Sequence, residues 1–129
     1  AGADAVIISA NSVDLYNPKL VRSTAGSLFH VPVVTGVEIE SAILAIKKAG
    51  LQVFAANAGG QKLPLADSEL QRPTAWIFGN EAWGFEPQTL ELADKEVAVP
   101  IFGEAESLNL ATAASICLYA SAFVQNGTD

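Results

Sequence analysis

The chain of 129 residues is half apolar and 16% charged, a composition that excludes an intrinsically disordered protein. No apolar run reaches the roughly 18 residues that a membrane-spanning helix needs. Seven basic and fourteen acidic side chains give a net charge of −7. This balance argues against a domain that binds nucleic acid by itself, because phosphate recognition depends on basic groups.

The first half of the chain alternates strands and helices. Its apolar pattern predicts strands at Ala5–Ser9, Val31–Thr35 and Leu51–Ala55, with helices at Lys19–Ala25 and Glu38–Ala49. The second helix is the better marked, because its apolar side chains recur at helical spacing and a glycine follows its last turn as a stop signal.

The second half continues this alternation after a long polar stretch. The residues from Asn57 to Pro73, rich in glycine, proline and polar side chains, are predicted to form a loop. Beyond it, the pattern predicts strands at Ala75–Phe78 and Glu96–Pro100 and helices at Pro87–Ala93 and Leu108–Val124.

These elements together predict an α/β fold. The strands are apolar on both faces, which is typical of a parallel sheet flanked by helices. No repeat and no long linker divides the chain, so one domain is expected over residues 1–129. His30 is the only histidine and Cys117 the only cysteine, which predicts no metal site and no disulfide framework. With no signal peptide visible, a cytoplasmic protein is expected.

A glycine-rich turn follows the strand at Ala75–Phe78, with the sequence Gly79-Asn80-Glu81-Ala82-Trp83-Gly84. Glycines let backbone amides approach a ligand closely, and ligands of open α/β sheets lie beyond the carboxyl ends of strands. A plain strand-to-helix turn has the same pattern and remains the alternative. No Lys-Ser or Lys-Thr follows Gly84, so the turn is not a nucleotide phosphate loop.

A second notable segment runs from Val99 to Ala113 and joins the last strand to the last helix. Ser107 is predicted to cap that helix, because serine is a preferred N-cap residue. Asn109 is harder to explain, since an amide at the opening of an apolar helix needs hydrogen-bond partners if it is buried.

The glycine turn, followed by Pro100 and Ser107-Leu108-Asn109, resembles motifs two and three of the SpoU (TrmH) family of RNA ribose 2′-O-methyltransferases. This family belongs to the SPOUT superfamily, and the resemblance extends from residue 1 to about residue 124. It implies a C-terminal trefoil knot, S-adenosylmethionine as cofactor, a homodimer, and RNA as partner, with ribosomal RNA favoured over transfer RNA. Neither a metal nor a membrane is expected as a partner, because the sequence has a single histidine, a single cysteine and no long apolar run.

The resemblance also implies roles for individual residues. The positions that match the family's cofactor contacts are Ala56, Gly79, Val99, Ile101 and Leu108. The positions that match its polar residues around the methyl transfer are Glu81, Ser107 and Asn109.

The sequence departs from the family pattern at its start. Motif one, an Asn-x-Gly-x-x-x-Arg pattern with the family's arginine at the reacting hydroxyl, precedes Ala1 in the family and is absent here. The expectation is a chain truncated at its N-terminus and inactive alone, although its parent is a methyltransferase. The alternatives are a non-catalytic, dimerising module that binds an adenosyl ligand, and an unrelated α/β domain that binds a protein partner.

Overall fold

The computed structural model describes residues 1–9, 31–80 and 84–127. Contacts between residues group the chain into two units, one of residues 2–42 and one of residues 43–129 with Ala1. The predicted helix at Lys19–Ala25 lies outside the described residues.

The first unit contains a parallel pair of strands, β1 (Val6–Ser9) and β2 (Val33–Val37). β2 begins two residues later than the predicted Val31, and the residue before it is Pro32. Proline has no backbone N–H to donate to a ladder, but its carbonyl accepts a hydrogen bond from the Val6 nitrogen at 2.9 Å. The strand therefore begins after the proline.

Helix α1 (Ile39–Lys48) begins in the first unit and continues into the second. Its apolar spacing correctly predicted a buried face, because Ile43 is fully buried. Gly50 follows with φ of +98°, a conformation that glycine adopts without strain, which confirms the predicted stop.

The second unit is built on a sheet of three parallel strands, ordered β4-β3-β5. β3 (Gln52–Lys62) lies in the middle, between β4 (Thr74–Phe78) and β5 (Lys95–Ala98). Ala55 of β3 pairs with Ile77 on one side and with Glu96 on the other. The prediction of an α/β fold with parallel strands is confirmed.

Two further helices of this unit are short, and the third is long: α2 (Asp67–Leu70), α3 (Pro87–Leu92) and α4 (Leu110–Asn126). The sheet shares an apolar core with α2 and α4. Its buried members are Phe54, Leu63, Leu65, Leu70, Val97 and Cys117. The indole nitrogen of Trp76 donates to the Ser121 hydroxyl at 2.9 Å, which ties β4 to α4.

The prediction that Asn57–Pro73 forms a loop is wrong in part. β3 continues to Lys62, and α2 forms within the same stretch. The cause is burial of three leucines in an otherwise polar sequence, together with a hydrogen bond from the Leu63 nitrogen to the Ala98 carbonyl at 2.9 Å.

The predicted start of the last helix is also wrong. α4 begins at Leu110 rather than Leu108, and its N-cap is Asn109 rather than Ser107. The Asn109 Oδ1 accepts hydrogen bonds from the backbone nitrogens of Ala111 at 2.9 Å and Thr112 at 3.4 Å. Asparagine caps helices as well as serine does, and the chain turns helical only after residue 109.

Within the described ranges, no helix is long and apolar enough to cross a membrane. The same residues contain no cluster of three His, Cys, Asp or Glu side chains with the spacing to hold a metal ion.

Candidate functional site

The carboxyl edge of the three-stranded sheet brings together three of the residues that match the family's cofactor contacts. Ala56 of β3 pairs with Phe78, the last residue of β4, and with Val97 of β5. Gly79 directly follows β4, and Val99 directly follows β5. Ala56, Gly79 and Val99 therefore lie at one edge of the sheet, where open α/β sheets bind ligands.

The glycine turn has a close backbone contact at its base. Asn80 and Gly84 exchange two backbone hydrogen bonds, with N–O distances of 3.0 and 2.7 Å. A Cβ atom at position 79 would lie only 2.7 Å from the Gly84 carbonyl carbon, so no larger residue fits there without a shift. Gly84 has φ of +72°, which also favours glycine. Glu81, predicted as a catalytic residue, lies outside the described residues.

A local departure from strand pairing, here called the β3 bulge, comprises residues 57–60. β3 pairs with β5 up to Ala56, leaves it, and pairs again from Gln61 onward. The Asn57 Nδ2 donates to the Glu96 Oε1 at 2.6 Å across this gap. Sequence reasoning missed the bulge, although the Gly59-Gly60 pair directly after an apolar strand is a signal for one.

The other implied residues lie on the segment between β5 and α4. Leu108 is half-buried, while Ile101 and Ser107 are exposed. Asn109 is exposed as well, and both hydrogen bonds of its side-chain oxygen go to its own helix. The structure thus assigns Asn109 a capping role that the sequence analysis gave to Ser107.

The thiol of Cys117 is not a reactive group of the candidate site. Cys117 lies in the core on α4, and burial raises its pKa from 9.0 to about 11. It stays protonated near neutral pH, which makes it a poor nucleophile.

Comparison with known proteins identifies the family. Residues 1–119 match the SpoU rRNA Methylase family. The chain is 38% identical over 123 residues to the 23S rRNA (guanosine(2553)-2′-O)-methyltransferase RlmP of Bacillus subtilis, covering 92% of this chain and 47% of that protein. It is 34% identical to the 23S rRNA (uridine(2479)-2′-O)-methyltransferase of Streptomyces viridochromogenes, covering 92% and 42%.

Solved structures agree with the sequence match. The fold superposes with a TM-score of 0.78 and 31% identity on the SpoU methyltransferase AviRb from Streptomyces viridochromogenes, crystallised in complex with AdoMet, over 97% of this chain and 50% of that one. An AdoMet-bound rRNA methyltransferase from Sinorhizobium meliloti gives a TM-score of 0.81 at 29% identity, over 93% and 46%. The chain spans about half the length of these relatives. On these matches, the chain belongs to the SpoU rRNA methylase family.

Proposed function

We propose that the enzyme containing this chain transfers a methyl group from S-adenosylmethionine to a ribose 2′-hydroxyl of RNA, with ribosomal RNA as the favoured substrate. In this proposal, the chain supplies the cofactor-binding half of the active site. One observation carries it: Ala56, Gly79 and Val99 lie at one carboxyl edge of a parallel sheet, as a ligand site of an α/β fold requires. The names of the relatives support the same activity.

The residues at this edge fit an adenosyl group. Ala56 and Val99 are half-buried and apolar, and so suit the flat face of a purine. At Gly79 a Cβ atom would collide with the Gly84 backbone, so glycine lets the turn fold closely at this end of the sheet, where its backbone groups are proposed to contact the cofactor. We assign Ile101 and Leu108 to the same adenosine contacts. When bound, S-adenosylmethionine would supply an electrophilic methyl group.

The polar residues would act on the ribose. A 2′-hydroxyl is a poor nucleophile near neutral pH, so it must be held in line and must lose its proton as it attacks. The Asn109 Oδ1 is already engaged in capping α4, which leaves the Nδ2 hydrogens as its donors to a substrate oxygen. Ser107 offers an exposed hydroxyl two residues earlier. Glu81 is proposed as the third polar group of this set.

We also propose that the enzyme works as a homodimer in which α4 contributes to the contact. Three apolar side chains on one face of α4 are exposed to solvent: Ile116, Tyr119 and Phe123. Their spacing of three and four residues places them along one stripe of the helix. A second copy of the chain would cover this stripe. The C-terminal trefoil knot of the SPOUT superfamily is proposed on the family relationship.

The proposed function is tested by calorimetric titration of the chain with S-adenosylhomocysteine, the product form of the cofactor. We expect saturable binding with one ligand per chain, and loss of binding in Gly79→Trp, whose side chain would collide with the Gly84 backbone and distort the turn. The enzyme is then incubated with radiolabelled S-adenosylmethionine and ribosomal RNA. Label in dinucleotides that survive alkaline hydrolysis supports the reaction, because a methylated 2′-hydroxyl cannot attack the neighbouring phosphodiester bond.

Two results would contradict parts of this proposal. A well-folded chain that does not bind S-adenosylhomocysteine would contradict the assignment of the cofactor site. Binding without any methyl transfer by the enzyme would favour a non-catalytic adenosyl-binding module instead.

A further inference from the structure

The β3 bulge follows directly after Ala56, one of the residues of the candidate cofactor site. Ala56, the last residue before the bulge, pairs with Phe78, and Phe78 is followed directly by Gly79. The bulge of residues 57–60 therefore starts at the level of the sheet where β4 ends and the glycine turn begins. Any ligand held at Ala56 and Gly79 would meet the bulge as an adjacent surface.

The residues on either side of the bulge pair with the same residue of β5. Ala56 and Gln61 have the same β5 partner, Val97, so the four residues between them are an insertion with fixed ends. At the first end, Asn57 Nδ2 donates to Glu96 Oε1 at 2.6 Å. At the second end, Gly60 lies so close to β5 that a Cβ there would be 2.5 Å from the Val97 nitrogen and would collide with the Glu96 carbonyl group.

Glu96 is a charged residue next to the buried end of its strand. β5 is a short strand whose last two residues are buried, yet Glu96 places a carboxylate directly before them. A half-buried carboxylate needs hydrogen-bond donors to offset its lost hydration, and Asn57 provides one. A hydrogen bond to an ionised acceptor is stronger than one between neutral groups, so this pair is suited to fixing a short loop.

We propose that Asn57 and Glu96 are positioning residues for the cofactor: their hydrogen bond, together with the close approach of Gly60 to β5, holds the β3 bulge as a fixed wall beside the glycine turn. This inference rests on the proposed function. If the bulge is already ordered in the ligand-free chain, binding does not have to order it. The entropy lost on binding is then smaller and the affinity is higher. Neither residue needs to touch the ligand for this effect.

The test is a double-mutant cycle read by the affinity for S-adenosylhomocysteine. Asn57→Ala removes the donor and Glu96→Leu removes the acceptor, and each is expected to weaken binding about tenfold, as for loss of one charge-assisted hydrogen bond. The double variant should bind no more weakly than either single variant, because both remove the same interaction. Glu96→Gln keeps an acceptor oxygen for Asn57 and should stay within about twofold of the wild type.

A matched control removes two hydrogen bonds at the other end of the same sheet. The Thr74 hydroxyl accepts from Gln52 Nε2 at 2.7 Å and donates to the Arg72 carbonyl at 2.8 Å. Thr74→Val should lower the melting temperature without changing the affinity. Amide hydrogen exchange of residues 58–60 in the ligand-free chain provides a second readout, and it should be faster in Asn57→Ala than in the wild type.

The possible outcomes separate this inference from the function on which it rests. Wild-type affinity in both Asn57→Ala and Glu96→Leu would overturn the inference while leaving the cofactor site intact. Equal loss of affinity in Thr74→Val would overturn it as well, because general destabilisation would then explain the effect. A folded wild-type chain with no affinity for the ligand would overturn the proposed function and the inference with it.

Discussion

Asn80 and Gly84 donate a backbone hydrogen bond to each other, at N–O distances of 3.0 and 2.7 Å, and this reciprocal pair holds together the two ends of the glycine turn. The pair also brings the Gly84 backbone against Gly79, where a Cβ atom would lie 2.7 Å from the Gly84 carbonyl carbon. The turn therefore requires glycine at position 79 for space, and at position 84 for its positive φ.

This contact makes Gly79→Ala a sharp test of the site. A single methyl group at position 79 must push the Gly84 backbone away, and this shift would distort the turn that the cofactor is proposed to contact. We expect the affinity for S-adenosylhomocysteine to fall about tenfold or more, measured by calorimetry.

Gly50→Ala is the matched control for that variant. Gly50 follows α1 with φ of +98° and has open space around its Cβ position, so alanine there is strained without meeting a neighbour. We expect it to lower the free energy of unfolding and to leave the affinity unchanged. If both glycine variants lose affinity in proportion to their loss of stability, the turn has no specific role in binding.

Asn109 has two functions that substitution can separate. Asn109→Ala removes the oxygen that caps α4 and should lower the free energy of unfolding by about 1 kcal/mol. Asn109→Asp keeps a capping oxygen but loses the Nδ2 donor, so its stability should stay close to that of the wild type. Urea unfolding of both variants measures this difference.

Methyl transfer by the enzyme measures the second function of Asn109. If its Nδ2 holds a substrate oxygen, Asn109→Asp should slow transfer about tenfold or more despite normal stability. Transfer at the wild-type rate in Asn109→Asp would contradict the proposed contact and would leave Asn109 with its capping role alone.

The parallel strands were predictable because their signal is local. The runs Val53–Ala56 and Ala75–Phe78 are apolar at every position, which is typical of strands buried on both faces, and Val53 and Ile77 are both buried. The pairing of β3 with β4 and β5 then follows the known preference for parallel strands joined by helices.

The features that the sequence did not reveal depend on distant partners. The Asn57-Ala58-Gly59-Gly60 stretch has the composition of a loop, and only its ties to Glu96 and Val97, nearly forty residues away, make it a bulge within a strand. The start of α4 was ambiguous for a different reason. Ser107 and Asn109 are both good N-cap residues, and their propensities alone do not choose between them.

The exposed stripe on α4 predicts how a surface charge should change assembly. Tyr119 and Phe123 are 47% and 58% exposed, and their rings contact each other with centroids 5.6 Å apart. Tyr119→Glu would place a charge inside the proposed dimer contact, where burial without a partner is costly. We expect this variant to sediment as a monomer at concentrations where the wild type is dimeric.

Leu44→Glu is the control for that variant. Leu44 is 56% exposed on α1, so it is a comparable apolar surface residue outside the α4 stripe. It should leave the sedimentation behaviour unchanged. A wild-type chain that is monomeric at every concentration tested, or dimers that survive Tyr119→Glu, would contradict the proposed role of α4.

Cys117 predicts a specific dependence of stability on pH. Burial raises the pKa of its thiol from 9.0 to about 11, because the folded chain disfavours the thiolate. The folded state therefore holds this proton more tightly than the unfolded state does, and the resulting stabilisation is fully present below pH 9. It is lost as the pH rises towards about 11.

The measurement compares the wild type with Cys117→Val, which cannot ionise at this position and keeps the site apolar. Other groups that titrate in the same range contribute equally to both proteins, so the difference between their free energies of unfolding isolates the thiol. We expect the wild type to lose stability relative to Cys117→Val as the pH rises from 9 to 11.

Because Cys117 is the only cysteine, labelling with a thiol reagent reports on it alone, and should be slow in the folded chain and fast in urea. Fast labelling of the folded chain near neutral pH would mean that the core around α4 opens readily, and the expected pH dependence would then be absent as well.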